Sequence, residues 1–376
     1  MSALALVKWI FALALCYHVG VARGGDDDKA KFHKPRHLQA TFDPRTGEMS
    51  TIEGIRVVDF EDVLVSNAAS VDAVLSASKS SGIYYLTNCG ILCRLTGQTG
   101  GLEFYNSSLF NDRVRADLSV RADPGNSRGY IEEGGEAGVH KFVERKEGFE
   151  YGDDKDAGGK ANKWPENAER EKMNLVFEEM QRIKNSLMEL VYSDYLGEEV
   201  VGGKEGWEGG RNLDLIRLFR YIACADDEDG KSLGSSPHTD WGLLTLILQE
   251  AGGVTALQYR DEKMVWRDVP PVRGTIVVNV GDMLELLSNV RHSGPAETLT
   301  SPIHRVQHCG DGGGGRLSVV FFAYPDEGLM VPQGVIEKVG VRGEGGAYNT
   351  LLDGRERERG ATFGSWLEEK WRGVKV

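Results

Sequence analysis

From Leu243 to Pro325 the chain reads as a series of short β runs, 243–249, 254–259, 275–280, 303–308 and 316–324. Turn residues separate them: Gly252-Gly253, Pro270-Pro271, Gly281-Asp282 and the glycines from Gly312 to Gly315. Many short strands punctuated in this way bury their apolar faces only by closing on one another, as a sandwich or barrel. The segment just before them, Leu213 to Ala223, alternates as a strand should. It carries Leu215, Arg217, Phe219 and Tyr221 on one face and Ile216, Leu218, Arg220 and Ile222 on the other.

The flanks read differently. Ile55–Phe60 and Gly82–Asn88 are strand candidates, and Val71, Val74, Leu75 and Ala77 between them have helical spacing. A long helix is expected from Ala168 to Gly197, where Met173, Val176, Met180, Ile183, Leu187 and Leu190 recur at three and four residues. Such a stripe is core, to be packed on the outside of the strands. Phe363, Trp366, Leu367 and Trp371 predict one more helix near the end. The Gly-rich, charged segments between 94 and 170 read as surface loops.

A chain of 376 residues can bury a large core. With 44 Lys+Arg against 57 Asp+Glu, its net charge is 44 − 57 = −13, a poor match to nucleic acid or an anionic membrane. The five cysteines are odd in number and widely spread. They form neither a disulfide framework nor a zinc pattern, and Cys89 and Cys93 are read as small packed side chains. The Gly312–Gly315 run opens no strand-to-helix turn, so it is a hairpin loop and not a phosphate cradle.

Residues 1–25 read as a leader: Lys8, an apolar run from Trp9 to Ala22, and a cleavage candidate at Gly20-Val21-Ala22. A signal peptide entering the secretory pathway is the first reading. A retained signal anchor and an organelle transit peptide are the alternatives, and without a working leader the protein would be cytoplasmic. No other segment is expected to span a membrane, and no protein partner is evident. The acidic run Asp26-Asp27-Asp28-Lys29 reads as a solvated linker.

The chemistry lies between Pro237 and Phe322. His238 and Asp240 stand two apart, so on an extended chain an imidazole and a carboxylate share one face. His304, in Ile303-His304-Arg305-Val306, is the best-placed third ligand, with His292 as a rival. Two histidines and one carboxylate on one side of a metal leave the opposite positions open, the arrangement of non-haem Fe(II) oxygenases. Arg316 offers a planar fork suited to a carboxylate. Ser318, two residues on, adds a hydroxyl on the same face. Taken singly, His238-Thr239-Asp240 is more often a surface pair and His304 a structural histidine. The ordered combination, each part beside a strand-like run, is far more specific.

These residues stand in a recognisable text. His238-Thr239-Asp240-Trp241-Gly242-Leu243-Leu244-Thr245-Leu246, then Val278-Asn279-Val280-Gly281-Asp282-Met283-Leu284-Glu285, Ser288-Asn289, Ser301-Pro302-Ile303-His304-Arg305-Val306 and Arg316-Leu317-Ser318 follow one another. In this the chain resembles the 2-oxoglutarate- and Fe(II)-dependent dioxygenases of the isopenicillin N synthase-like branch. The resemblance implies a mainly β fold with flanking α: a double-stranded β-helix (jelly-roll) core with supporting helices. It implies a linker over 26–50, an N-terminal α/β oxygenase region over 51–200, the jelly-roll domain over 211–330, and a C-terminal extension with a helix over 331–376.

It further implies Fe(II) on His238, Asp240 and His304, with His304 preferred to His292 because its context fits the motif. 2-Oxoglutarate would chelate the iron and pair its far carboxylate with Arg316 and Ser318. Tyr221 falls where a tyrosine commonly contacts that co-substrate; a packed aromatic is an equal reading. Phe219 stands where many plant members carry an asparagine, and Asn88-Cys89-Gly90 replaces the usual Asn-His-Gly. Arg128 and Tyr130 would line the substrate mouth or serve structure. The long link 290–300 would lie at the active-site rim. O2 is the oxidant and ascorbate a supporting reductant. The implied activity is oxidation of a small molecule by hydroxylation, or desaturation or ring closure, with release of succinate and CO2. Two alternatives stand beside it: an Fe(II) oxidase that does not use 2-oxoglutarate, and a non-catalytic ligand-binding protein on the same fold.

Overall fold

The computed structural model describes residues 40–42, 49–90, 92–93, 112–122, 128–134, 142–154, 161–165, 170–208, 213–222, 232–250, 254–292, 294, 296–307, 316–331 and 361–374. The leader, the Asp26–Lys29 run and the Gly312–Gly315 turn lie outside these residues.

In chain order the strands are β1 Ala40–Phe42, β2 Met49–Ile52, β3 Ile55–Asp59, β4 Ile83–Thr87, β5 Gly129–Ile131, β6 Val143–Glu144, β7 Lys146–Gly152 and β8 Leu215–Tyr221. There follow β9 Ser232–Leu233, β10 Ser235–His238, β11 Leu244–Gln249, β12 Leu257–Arg260, β13 Trp266–Asp268, β14 Ile276–Val280, β15 His304–Val306 and β16 Arg316–Ala323. A ten-stranded sheet has the order β1-β2-β3-β4-β14-β11-β16-β8-β7-β5, and a four-stranded sheet the order β10-β15-β12-β13. The two sheets share an inner layer. Ile247, Val277, Val320, Phe219 and Tyr221 of the large sheet pack with Leu257, Tyr259 and Val306 of the small one. This is the jelly roll, and its order explains the alternation in the sequence: each strand has one face inside the roll and one outside.

The N-terminal region is not built as a separate layer. β4 pairs with β14, and β3 runs parallel to β4, so the strands around residues 55–87 extend the jelly-roll sheet. Within the stretch read as a linker, β1 pairs with β2 as a hairpin at the sheet's edge.

The outer face of the large sheet carries the helices. The long helix forms as its periodicity requires: Arg170–Leu187, then a wider turn Met188–Tyr192, then Ser193–Leu196, ended by Gly197 at φ +84. Met173, Val176, Phe177, Met180 and Ile183 are buried against strand residues such as Val319 and Phe321. Phe177 meets Phe321 edge-on at 5.5 Å between centroids. One buried position on this face is not apolar. Lys184 donates to Asp214 Oδ2 at 2.7 Å and to the Trp207 carbonyl at 2.8 Å, while Asp214 Oδ1 accepts from the Tyr324 amide. That buried pair fastens the helix to the start of β8 and the end of β16.

Three sequence-based expectations need correction. Cys89 and Cys93 are joined as a disulfide. The turn after β4, with Asn88 at φ 52 and Gly90 at φ 67, brings their Cα atoms to 5.2 Å, within bridging range. The Gly281-Asp282 turn is followed at once by a helix, Asp282–Arg291. Among the described residues of the link 290–300, none lines the cleft. Thr300 bonds through its amide to the Ser78 carbonyl and Glu297 pairs with Lys79, so the link packs against the helix Ala68–Ser80.

Candidate metal centre and co-substrate cleft

His238 ends β10 and His304 begins β15, and the two are direct partners in the antiparallel pair. Directly opposed residues share a face with Cβ atoms only about 5 Å apart, which is how histidines far apart in sequence meet. The register between Ser235 and His238 contains a bulge, a device that turns a side chain toward a chosen point. The imidazole centroids are 4.3 Å apart. Asp240 arrives from the turn beyond β10, so the convergence does not rest on strict strand alternation. Its Oδ1 is 3.7 Å from His238 Nε2 and its Oδ2 3.5 Å from His304 Nε2.

The three side chains present donor atoms all within 4.8 Å of one another. Each histidine turns its other nitrogen to a carbonyl two residues back: His238 Nδ1 to Ser236 at 2.7 Å, His304 Nδ1 to Pro302 at 3.1 Å. A carbonyl only accepts, so Nδ1 carries the proton in both rings and Nε2 keeps its lone pair for the shared point. Burial, and then the neighbouring His304, lower the His238 pKa to about 4. That leaves the imidazole neutral at neutral pH, as a ligand must be. Asp240 Oδ2 is buried and takes no hydrogen bond. Two imidazole Nε2 atoms and a carboxylate oxygen without a hydrogen-bond partner fit a divalent metal in the two-histidine, one-carboxylate pattern.

The rival His292 lies elsewhere. It closes the helix Asp282–Arg291, stacks on Tyr195 at 4.3 Å and faces the Tyr195 carbonyl.

From the three side chains a cleft runs along the inner faces of β8, β11 and β16. Arg316, Ser318, Val320 and Phe322 line it at every second residue of β16, and Arg217, Phe219 and Tyr221 do so on β8. Arg316 stands opposite Tyr221 and Ser318 opposite Phe219. The Arg316 guanidinium lies 5.2 Å from the Tyr221 ring centroid. Ser318 Oγ is buried with no hydrogen-bond partner, a donor that a bound carboxylate would satisfy.

Gln249 is a residue the sequence reading missed. It sits opposite Ser318 on β11, and its Oε1 accepts from Arg316 Nη2 at 2.5 Å. Its signal was present: Thr245, Ile247 and Gln249 alternate along one strand face, and an inward amide at the end of an apolar strand needs a partner.

The other end of the cleft has a different character. Arg217 donates through Nε and Nη2 to Glu150 Oε2 at 2.9 and 2.8 Å across the β7–β8 pair. Its guanidinium stacks on Trp371 at 4.5 Å. Trp371 belongs to the C-terminal helix Phe363–Val374 and lines the cleft with Trp241, Phe322 and Tyr324. On the third side Lys146 pairs with Glu144 at 2.9 Å and lies 5.0 Å over the Phe219 ring. Burial would raise the Glu144 pKa, but Lys146 and the Ser236 amide outweigh it and hold the carboxyl at about 2. Arg128 and Tyr130 do not line the cleft: Tyr130 donates to Glu147 Oε2, and Arg128 packs against Gly152.

Residues 213–325 match the 2OG-Fe(II) oxygenase superfamily, whose members use Fe(II), 2-oxoglutarate and O2, and the His238, Asp240 and His304 cluster lies within that segment. Among particular proteins, it is 28% identical to gibberellin 3-beta-dioxygenase 4 of Arabidopsis thaliana over 68% of this chain and 68% of that protein. It is 30% identical to scopoletin 8-hydroxylase of Arabidopsis thaliana over 45% of this chain and 42% of that protein. A chloroplastic 2-oxoglutarate-dependent dioxygenase 21 of Oryza sativa subsp. japonica matches at 33% over 36% and 37%. The alignments thus span about two thirds of the first relative and well under half of the other two. In fold, the chain superposes on the dioxygenase for auxin oxidation in rice with TM-score 0.54 and 20% identity, covering 85% of this chain and 95% of that one. Among the described residues, no helix is long and apolar enough to cross a membrane.

Proposed function

We propose that His238, Asp240 and His304 hold Fe(II), that Arg316 and Ser318 receive the far carboxylate of 2-oxoglutarate, and that the cleft beyond them takes a ring-bearing small molecule. A metal held there would supply O2 activation coupled to oxidative decarboxylation of 2-oxoglutarate to succinate and CO2, with the second oxygen atom going to the substrate in a hydroxylation. The single observation that carries the reading is the meeting of two Nε2 lone pairs with an unsatisfied Asp240 oxygen.

The chain's own residues supply position and exclusion. The Arg316 fork gives charge and direction, with its Nη2 held by Gln249, and the Ser318 hydroxyl is free to donate. Tyr221 contributes its ring face beneath Arg316, a packing role consistent with its place in the inner layer. Val320, Ile247 and Val306 form the apolar wall between the anchor and the metal ligands. They keep bulk water from the region where the co-substrate would lie.

Two features support a ring-bearing substrate. Phe219, Trp241, Phe322, Tyr324 and Trp371 surround the remaining space, with Lys146 and Arg217 there each paired to a glutamate. The relatives' own names, a gibberellin dioxygenase and a scopoletin hydroxylase, point the same way. O2 uptake with and without 2-oxoglutarate, across a panel of aromatic and alicyclic acids and phenols, tests this. Succinate formed one-for-one with an oxidised product supports it. O2 uptake independent of 2-oxoglutarate would instead favour an Fe(II) oxidase in which Arg316 holds the substrate's own carboxylate.

A further inference from the structure

We infer that Thr239 and Asp282 are positioning residues for the carboxylate of Asp240, so that the metal centre is pre-formed from the first turn of the helix Asp282–Arg291. This rests on the assignment of Asp240 as a metal ligand.

Asp240 lies in a turn, where neither strand pairing nor alternation fixes its direction. Four backbone bonds do so instead. The Asp282 amide donates to the Asp240 carbonyl at 2.7 Å, the Met283 amide to Gly242 at 3.0 Å, the Gly281 amide to Leu243 at 2.8 Å, and the Leu243 amide to Ala323 at 2.8 Å. The first amides of a helix have no partner within it. Here the amides of Asp282 and Met283 are spent on the ligand turn, and Gly281, at the cap position, offers no side chain to compete for them. The approach is close enough to demand glycine on both sides. A Cβ on Gly281 would lie 2.2 Å from the Gly242 carbonyl oxygen, and one on Gly242 2.3 Å from that of Ala323.

The side chains complete the hold. Thr239, the residue between the two ligands, donates its hydroxyl to Asp282 Oδ2 at 2.9 Å. Thr239, Asp240 and Asp282 are all buried, so the bond is shielded from competing water. Asp282 therefore grips the ligand turn twice, by its amide at Asp240 and by its carboxylate at Thr239. With the Thr239 side chain and the Asp240 carbonyl both held by Asp282, the Asp240 carboxylate needs little reorganisation to meet Nε2 of His238 and His304. Groups that orient metal ligands in this way typically contribute a factor of about 10–100 in metal affinity.

The test compares Thr239→Val, Thr239→Ser and Asp282→Asn with the wild-type chain, by anaerobic Fe(II) titration and by the thermal midpoint of the metal-free protein. Thr239→Val removes the hydroxyl at nearly constant shape. It is expected to weaken Fe(II) binding about 10–100-fold while the metal-free midpoint moves by only a few degrees. Thr239→Ser restores the hydroxyl and with it affinity to within about threefold of wild type, a rescue that a purely packing role would not give. Asp282→Asn keeps an oxygen acceptor for Thr239 and falls between the two. Wild-type affinity in Thr239→Val overturns the inference, as does a loss that Thr239→Ser fails to recover. If the wild-type chain takes up no Fe(II), the reading of the site fails and the positioning role falls with it.

Discussion

The cleft has two ends, and they are assembled from different parts of the chain. At one end Arg316, Ser318 and Gln249 come from neighbouring strands of the jelly roll, with His238 and His304 facing each other on the second sheet. At the other, Arg217 of β8 is held by Glu150 of β7 and covered by Trp371 from the C-terminal helix. The first end contains polar atoms without hydrogen-bond partners, Asp240 Oδ2 and Ser318 Oγ. In the second, the charge on Arg217 is matched by Glu150. Unsatisfied buried polar atoms are costly, so on the proposed reading these two are where iron and 2-oxoglutarate would bind. On the same reading the matched pair and aromatic faces would shape the wall that selects a substrate.

The largest effect expected is at the first end. Asp240→Ala should abolish Fe(II) uptake and 2-oxoglutarate-dependent O2 consumption together, with the circular dichroism of the metal-free chain unchanged. At the second end, Glu150→Ala leaves the Arg217 charge buried without this partner. It should lower unfolding free energy by about 3–5 kcal/mol in urea titration, while Fe(II) affinity of the still-folded protein stays near wild type. An Fe(II) affinity that fell with Glu150→Ala would mean that the two ends are not separable. Arg316→Ala should cost about 2 kcal/mol or more of 2-oxoglutarate binding, roughly a 30-fold rise in the concentration needed. Unaltered behaviour at limiting 2-oxoglutarate would remove Arg316 as the anchor.

Smaller effects sharpen the contrast. Trp371→Ala should raise the KM of any turned-over ring-bearing substrate by on the order of tenfold and leave the KM for 2-oxoglutarate unmoved. A change in both would place the tryptophan over the co-substrate. A separate effect concerns pH. The His238 pKa of about 4 in the folded chain lies below its ordinary 6.5, chiefly through burial. Between those values the unfolded chain binds a proton that the folded chain lacks. The metal-free protein should therefore lose stability as pH falls from about 6.5 and stop losing it on this account below about 4. His238→Gln should flatten that slope in thermal melts across the same range.

How much of this could be read from the sequence follows the same division. His238, Asp240, His304, Arg316 and Ser318 stand in short motifs beside strands, and alternation aims Arg316 and Ser318 at one face. Local pattern thus sufficed to nominate them. Arg217 was visible as a charge on an alternating strand, but Glu150, its partner, comes from a strand pairing 67 residues away. Trp371 has the spacing of a packed helical face, and nothing local shows that the helix covers the cleft. Lys184 reads as a solvent-facing lysine until Asp214 is brought beneath it. The helix beginning at Asp282 was hidden by its Gly-Asp start, which reads as a turn. The Cys89–Cys93 bridge was hidden by a tight turn with positive φ at Asn88 and Gly90. In each case the missing information was long-range contact or backbone geometry, which periodicity does not encode.

The most direct test is an anaerobic titration of the purified chain with Fe(II) and 2-oxoglutarate, followed by visible absorption. A metal-to-ligand charge-transfer band should appear only when both are present, saturate at one equivalent of iron, and vanish in Asp240→Ala. A band of undiminished strength in Asp240→Ala, or its absence from the wild-type chain at saturating Fe(II) and 2-oxoglutarate, would contradict the account.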